Sequence, residues 1–160
     1  MLFRSERVAQ RFQVPESINA DYLELRISKV GTPPANLEYR ITNLTTPATV
    51  ISGIFTSENQ VAESTGSDVV LPISRVNLIA GEEYRLELYC ETCTNSDHYR
   101  AHGRGASDAF SPLVENTFQG VAGYGETSSD GGTTWDPQLD GDMKFLFRED
   151  TNKVFQDSFE

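Results

Sequence analysis

Residues 21–30 of the chain read DYLELRISKV, and this stretch decides the fold class. Leu23, Leu25 and Ile27 alternate with polar residues, so an extended segment here has one apolar and one polar face. A two-residue period is typical of a β-strand that is buried on one side. The stretch therefore predicts a strand with one face in a hydrophobic core.

The same alternation recurs along the chain, in NLEYRITN at 36–43, EEYRLELYC at 82–90 and HYRAHGR at 98–104. Shorter strands are predicted at 8–14, 50–55, 69–73, 118–128 and 143–147, and a single helical turn at 107–116. Turn signals such as Ala80-Gly81 and Asp140-Gly141 separate these segments. Many short strands with frequent turns predict an all-β fold, a jelly-roll-like antiparallel β-sandwich of about eight to ten strands.

The length and the charge limit what the chain can do. A chain of 160 residues is one domain by length, and we expect an arm at 1–7, a sandwich at 8–148 and a tail at 149–160. The net charge of −11 argues against nucleic acid and against anionic membrane surfaces as partners. The opening MLFRSER has no apolar run of the length that a signal peptide needs. We therefore expect a protein made in a host cytoplasm without a signal peptide.

The stretch SSDGGTTW at 128–135 matches the Asp-box pattern S-x-D-x-G-x-T-W, which recurs once per blade in sialidases and other β-propellers. A propeller needs several four-stranded blades, whereas this chain has one such motif and no internal repeat. Turn chemistry accounts for the whole motif. Asp130 can accept hydrogen bonds from backbone N–H groups, the glycines supply positive φ, and Trp135 is expected to enter the core edge. The predicted structural turn comprises Ser128, Asp130, Gly132, Thr134 and Trp135.

The order of these motifs resembles the choice-of-anchor R type of small β-sandwich module found in bacterial and phage surface proteins. The matching phrases are Ala9-Gln10-Arg11-Phe12, Lys29-Val30-Gly31-Thr32-Pro33, Asn36-Leu37-Glu38-Tyr39, the segment 76–88, the segment 129–135 and Asp142-Met143-Lys144-Phe145. The resemblance covers about residues 8–148, and its motifs mark turns and core positions rather than chemistry. It implies a jelly-roll similar to carbohydrate-binding modules, used as an appendage of larger surface or virion proteins. Cys90 and Cys93 depart from the pattern.

Both cysteines and both histidines lie within CETCTNSDHYRAH, a spacing that resembles a small zinc site made of Cys90, Cys93, His98 and His102. On one strand, His98 and His102 would lie about 13 Å apart with parallel side chains, so one ion could not easily take both. Cys90 shares a face with Leu86 and Leu88 and would act as a small core hydrophobe. We expect no zinc and two free thiols, with a Cys90–Cys93 disulfide as the alternative.

The sequence bears on two other kinds of site, a calcium site and a catalytic site. Asp136, Asp140 and Asp142 could hold a structural calcium ion, although the D-x-D spacing is incomplete and a solvated acidic loop explains them as well. Catalysis has no supporting motif: neither a nucleophile triad nor a phosphate loop is present, and Glu87 on an outward strand face is expected to be a solvated charge. We expect no cofactor and no enzymatic activity.

Tyr22, Tyr89 and Tyr99 are the candidates for stacking against a glycan, because sugars bind to exposed aromatic faces. The alternative is that these tyrosines lie flat on neighbouring side chains. At the chain ends, Phe3, Val154, Phe155 and Phe159 offer apolar anchors for a partner.

Together these observations favour a non-enzymatic virion structural protein of a tailed bacterial or archaeal virus, on the surface of the capsid or the tail. The expected partners are copies of the chain itself, with a trimer favoured, and other virion proteins. The rival hypothesis is a carbohydrate-binding module or glycan receptor-binding domain. Both rest on analogy at the level of the fold.

Overall fold

A computed structural model describes residues 7–14, 16–63, 66–102, 125–138, 143 and 145–150. These residues contain ten strands and one short 3-10 turn at Glu58–Gln60. The strands are β1 (Arg7–Gln13), β2 (Ile18–Val30), β3 (Leu37–Asn43), β4 (Ala48–Thr56), β5 (Ser67–Leu78), β6 (Glu83–Tyr89), β7 (His98–Ala101), β8 (Gly125–Ser128), β9 (Asp136–Gln138) and β10 (Phe145–Arg148). In this part of the chain, no helix has the length and apolar character needed to cross a membrane.

The strands form two antiparallel sheets that pack face to face. The large sheet has the order β4-β3-β6-β1-β8-β9, and the small sheet has the order β10-β2-β5 with β7 also paired to β2. Side chains from the inner faces of both sheets form one hydrophobic cluster. The predicted all-β antiparallel sandwich in a single domain is thereby confirmed.

The core follows the alternation of the sequence. Leu23, Leu25 and Ile27 are fully buried on the inner face of β2, and Leu86 and Leu88 are fully buried on the inner face of β6. Burial of such apolar side chains is the main favourable term in folding.

Aromatic rings join the two sheets across this core. Phe12 on β1 packs against Phe145 and Phe147 on β10, with ring centroids 5.1 and 5.6 Å apart, and against Tyr84 on β6 at 5.6 Å. Aromatic contacts of this kind add to the energy of burial. Residues from near both ends of the described chain thus meet in the middle of the sandwich.

Strand β2 is long enough to pair with three other strands. Its residue Ile27 pairs with Ser67 of β5 and also with Ala101 of β7, so β5 and β7 lie on opposite edges of β2. Strand β10 pairs with residues 22–25 of β2, and β7 follows it along the same edge at residues 27–30. This arrangement places the outward residues of β7 beside those of β2.

The loop between β6 and β7 contains a disulfide between Cys90 and Cys93, so the prediction of two free thiols is wrong. After β6 the chain turns back at once: the Cys93 N–H donates to the Cys90 carbonyl, and the two Cα atoms lie 5.4 Å apart. Both cysteines are buried in the core, as expected for Cys90. Spacing alone did not distinguish the two states, because the loop geometry decides whether the thiols meet.

Several predicted features lie outside the described residues. They are the helical turn at 107–116, the first part of the strand at 118–128, most of the arm at 1–7 and most of the tail at 149–160. The described strands begin at Arg7 and end at Arg148, close to the predicted limits of the sandwich.

Candidate functional site

The Asp-box turn, residues 128–135, connects β8 to β9 in an antiparallel hairpin. Asp130 accepts hydrogen bonds from the Ser128 hydroxyl at 2.8 Å, from the Thr133 N–H at 3.0 Å, and from the N–H and hydroxyl of Thr134 at 2.9 and 2.6 Å. The Gly132 N–H donates to Ser128 Oγ at 2.8 Å. One carboxylate thus accepts hydrogen bonds from four donors of the turn, as Asp side chains commonly do.

The electrostatics of the turn follow from these bonds. They favour the charged carboxylate, so the pKa of Asp130 lies well below its ordinary value, chiefly because of the two bonds from Thr134 and then the bond from Ser128. Gly131 and Gly132 have φ values of 73° and 89°, a region that favours glycine.

The turn folds onto the outer face of the large sheet. A β-carbon added at Gly132 would lie 3.2 Å from Glu87 Oε1 on β6 and 3.5 Å from Arg7 Cδ on β1. Trp135 does not enter the core edge as predicted: it is half-buried, and its Nε1–H donates to the Gly132 carbonyl at 3.1 Å. The Arg85 guanidinium lies over its ring, 4.5 Å from the centroid. The tryptophan therefore covers the outer face of the sheet, where a cation–π contact holds it.

Beneath the turn lies a group of buried charged side chains, which we call the outer-face ion cluster: Arg7, Arg85, Glu87 and Glu126. The pairing register places Ala9 of β1 between Glu87 on β6 and Glu126 on β8, and all three residues are buried. The Arg7 guanidinium donates a hydrogen bond to the Glu87 carboxylate. The Arg85 guanidinium reaches across β1 and donates two hydrogen bonds, of 2.6 and 3.2 Å, to the Glu126 carboxylate. The expectation that Glu87 is a solvated charge is wrong, because the turn and the arginine side chains cover it.

Two of the three candidate tyrosines are not exposed stacking platforms. Tyr89 is buried on the outer face, with the Arg7 guanidinium 4.3 Å and the Arg40 guanidinium 5.6 Å from its ring centroid. Tyr99 is fully buried in the core, where its hydroxyl donates to the Ala35 carbonyl at 2.9 Å. Tyr22 is half-buried on the outer face of the small sheet, opposite Pro72. The stacking hypothesis thus fails for Tyr89 and Tyr99 because other side chains cover their rings.

The geometry bears on both metal hypotheses. Cys90 and Cys93 are bonded to each other and have no thiolate to offer zinc. His98 and His102 lie on one face of β7 and its extension with Arg100 between them, and a guanidinium disfavours a nearby cation. Asp136 begins β9 opposite Thr127, whereas Asp140 and Asp142 lie outside the described residues. No group of three metal-binding side chains is found among the residues that the structure describes.

Exposed aliphatic side chains lie on both β4 and β5, and we call this set the β4–β5 edge: Val50, Ile54 and Val70. Ile54 lies opposite Glu38 on the outer face of the large sheet, and Val70 lies opposite Glu24 on the outer face of the small sheet. Ile54 is 57 % exposed, and Val70 is 47 % exposed. Strands β4 and β5 contact each other at one side of the sandwich, and in the described part of the chain each pairs with one strand only. The predicted partner contacts Phe3, Val154, Phe155 and Phe159 lie outside the described residues.

Sequence reasoning missed the outer-face ion cluster, although a signal was present. Glu83, Arg85 and Glu87 alternate in charge along the outward face of β6, and Arg7 and Arg11 lie on the outward face of β1. Opposite charges on neighbouring strands pair favourably. Such complementary rows on two predicted strands could have indicated that the strands are neighbours.

No protein-family model matches this chain, and no curated protein is found to be similar to it. The resemblance to the choice-of-anchor R modules therefore stays a prediction drawn from the motifs.

Proposed function

We propose that the chain is a non-enzymatic structural protein of a virus particle, a capsid decoration or tail-associated surface protein that assembles with copies of itself. The observation that carries the proposal is the β4–β5 edge. Large aliphatic side chains are exposed on two edge strands that contact each other, which favours a partner that covers this side of the sandwich. The resemblance of the motifs to appendage modules supports the setting on a particle surface.

The form of the edge favours a closed contact over open-ended growth. The register between β3 and β4 shifts twice, once near Val50 and once near Phe55. Such irregularities bend an edge strand and hinder continuous strand addition. A contact between copies of one chain is commonly closed by symmetry. The net charge of −11 opposes association in dilute buffer, and salt screens that repulsion.

The test compares two isoleucines with similar exposure. Ile54 lies on the β4–β5 edge, whereas Ile79, which is 46 % exposed, lies outside it, just after β5. Light scattering at low and high salt should detect an oligomer in the parent chain. Ile54→Asp should weaken assembly at least tenfold, and Ile79→Asp should leave it within twofold. A parent chain that stays monomeric at both salt concentrations and does not bind virus shells would refute the proposal.

One observation favours the rival function, the binding of a glycan. Trp135 is half-buried on the outer face of the large sheet, and the Arg85 guanidinium covers one side of its ring. A tryptophan held in this way can stack against a sugar with its remaining surface. If the chain is a glycan-binding module, a polysaccharide pull-down should succeed with the parent and fail with Trp135→Ala, while Ile54→Asp should still bind.

A further inference from the structure

A row of basic side chains lies on the outer face of the small sheet. Along β7 and the residue that follows it, His98, Arg100 and His102 point to the same side, as alternation requires. Val30 and Ser28 of β2 lie opposite His98 and Arg100, and the His102 N–H bonds the Arg26 carbonyl at 2.9 Å. We call Arg26, Ser28, His98, Arg100 and His102 the β7 basic strip.

The strip contains buried polar atoms that have no partner. His98 is only 3 % exposed, yet neither its Nδ1 nor its Nε2 makes a hydrogen bond. The Arg100 Nε is also buried without a partner. Unpaired buried donors are rare in folded proteins, because each loses its bonds to water without compensation. Two outward residues of β7, His98 and Arg100, thus carry buried polar atoms without a partner.

Arg100 differs from the other arginines that the structure describes. Each of the others has a carboxylate within 4.0 Å. No salt bridge is found for Arg100 among the described residues, although the chain carries an excess of acidic residues. A guanidinium is matched to carboxylate and to other oxyanions by its planar array of donors. An oxyanion therefore suits the donors of Arg100.

The rest of the strip is well packed and positively charged. His102 Nε2 lies 2.7 Å from Ser28 Oγ, and a β-carbon added at Gly66 would lie 2.9 Å from the same ring. Burial lowers the pKa of His102, and the positive charges of Arg26 and Arg100 lower it further.

Two acids near the strip, Asp68 and Asp97, already have partners. Asp68 faces the Arg26 guanidinium at 3.5 Å, and Asp97 accepts a bond from the Thr32 N–H at 2.8 Å. An anion entering the strip would therefore meet donors and positive charge.

We propose that the β7 basic strip is a binding site for an oxyanion group, the sulfate, phosphate or carboxylate of a small ion or of an acidic polysaccharide. Arg100 supplies the fixed charge, the His98 imidazole supplies a second donor, and Ser28 and His102 form the adjoining wall. The site shares no residue with the β4–β5 edge or with the Asp-box turn, so it does not rest on the proposed function.

Thermal unfolding of the full chain tests the site, with sodium sulfate, phosphate or acetate compared with sodium chloride at equal ionic strength. We expect the oxyanions to raise the unfolding temperature of the parent. Arg100→Gln should weaken the apparent affinity for sulfate at least tenfold. The control is Arg148→Gln, which removes a half-exposed arginine from the outer face of the same sheet. It should leave the affinity within twofold.

Histidine ring signals in NMR spectra of the parent give a second readout, which does not depend on a variant folding. Sulfate should shift the signals of His98 and His102, whereas chloride should not. Dextran sulfate and polygalacturonate, compared with neutral dextran, show whether the oxyanion belongs to a polysaccharide or to a small ion. Tighter binding of the acidic polymers than of the free ions indicates a polysaccharide ligand. Binding of the free ions alone indicates a site for small anions. Unfolding temperatures and ring signals that respond to sulfate no more than to chloride, or an Arg100→Gln variant that responds as the parent does, would overturn the proposal.

Discussion

The outer-face ion cluster makes a quantitative prediction about one buried ion pair. Glu126 has a side chain that is 3 % exposed, and its partner Arg85 is 16 % exposed. The substitution Glu126→Gln keeps the shape of the side chain and removes its charge, which leaves a largely buried guanidinium without a counter-ion. Removing one partner of a buried pair costs about 3–5 kcal/mol. Because Gln keeps one acceptor oxygen, we expect a loss near the lower end, about 3 kcal/mol in the free energy of unfolding.

A second pair on the same face provides a matched control. Arg11 and Glu83 also form two bonds, at 2.6 and 2.7 Å, but their side chains are 28 % and 38 % exposed. Water screens this pair, so Glu83→Gln should cost about 0.2–1 kcal/mol. Because the two pairs have similar geometry, the difference between the variants isolates the effect of burial.

Urea unfolding measures both variants, followed by circular dichroism and by tryptophan fluorescence. Trp135 is the single tryptophan of the chain and lies under the Arg85 guanidinium, so its fluorescence reports directly on the Asp-box turn. In Glu126→Gln the emission should change even before the sandwich unfolds, because Arg85 loses its anchor. A Glu126→Gln variant that is no less stable than Glu83→Gln would refute the reasoning that burial determines the strength of this pair.

Three further predictions concern the turn, the disulfide and the response to pH. In urea unfolding, Gly132→Ala should destabilise the chain by about 1 kcal/mol more than Gly131→Ala. Both glycines have positive φ, but only Gly132 lies against the outer-face ion cluster. Equal losses of stability in the two variants would mean that the turn does not rest on the sheet. Replacing Cys90 and Cys93 by Ala should lower the free energy of unfolding by about 2 kcal/mol, a small loss because the disulfide closes only a short loop. A reducing agent should destabilise the parent chain but not this double variant, and equal sensitivity of the two chains to the reducing agent would contradict the prediction. Folding lowers the pKa of His102, so as the pH falls the unfolded chain takes up the proton of this histidine at a higher pH than the folded chain does. The free energy of unfolding should therefore fall as the pH drops below about 6.5. Between pH 8 and pH 5, the urea midpoint of His102→Gln should fall less than that of the parent.

Much of the fold could be predicted from the sequence, because strand alternation is a local property. Leu23 and Leu25 are buried where their period places them. Side chains two apart on a strand share a face whatever the partner strand is. For this reason the inner faces, and with them the sandwich, follow from the sequence itself.

The outer face of the large sheet could not be predicted in the same way. Alternation shows that Glu87 and Tyr89 point away from the core, and solvent exposure was the expected consequence. In the folded chain Arg7, which is 80 residues away along the sequence from Glu87, bonds to it. The same guanidinium lies over the Tyr89 ring. Only the pairing of β1 with β6 brings these groups together, and that pairing is a long-range contact.

The β7 basic strip shows both contributions in one place. The sequence by itself determined that His98, Arg100 and His102 share a face, because they alternate along an extended segment, and this already made a shared zinc ion improbable. Only the tertiary structure decided that the carboxylates of an acidic chain are placed beside the other described arginines and not beside Arg100. Which charges meet depends on strand order and register, and these are decided by the packing of the whole sandwich rather than by any short stretch of residues.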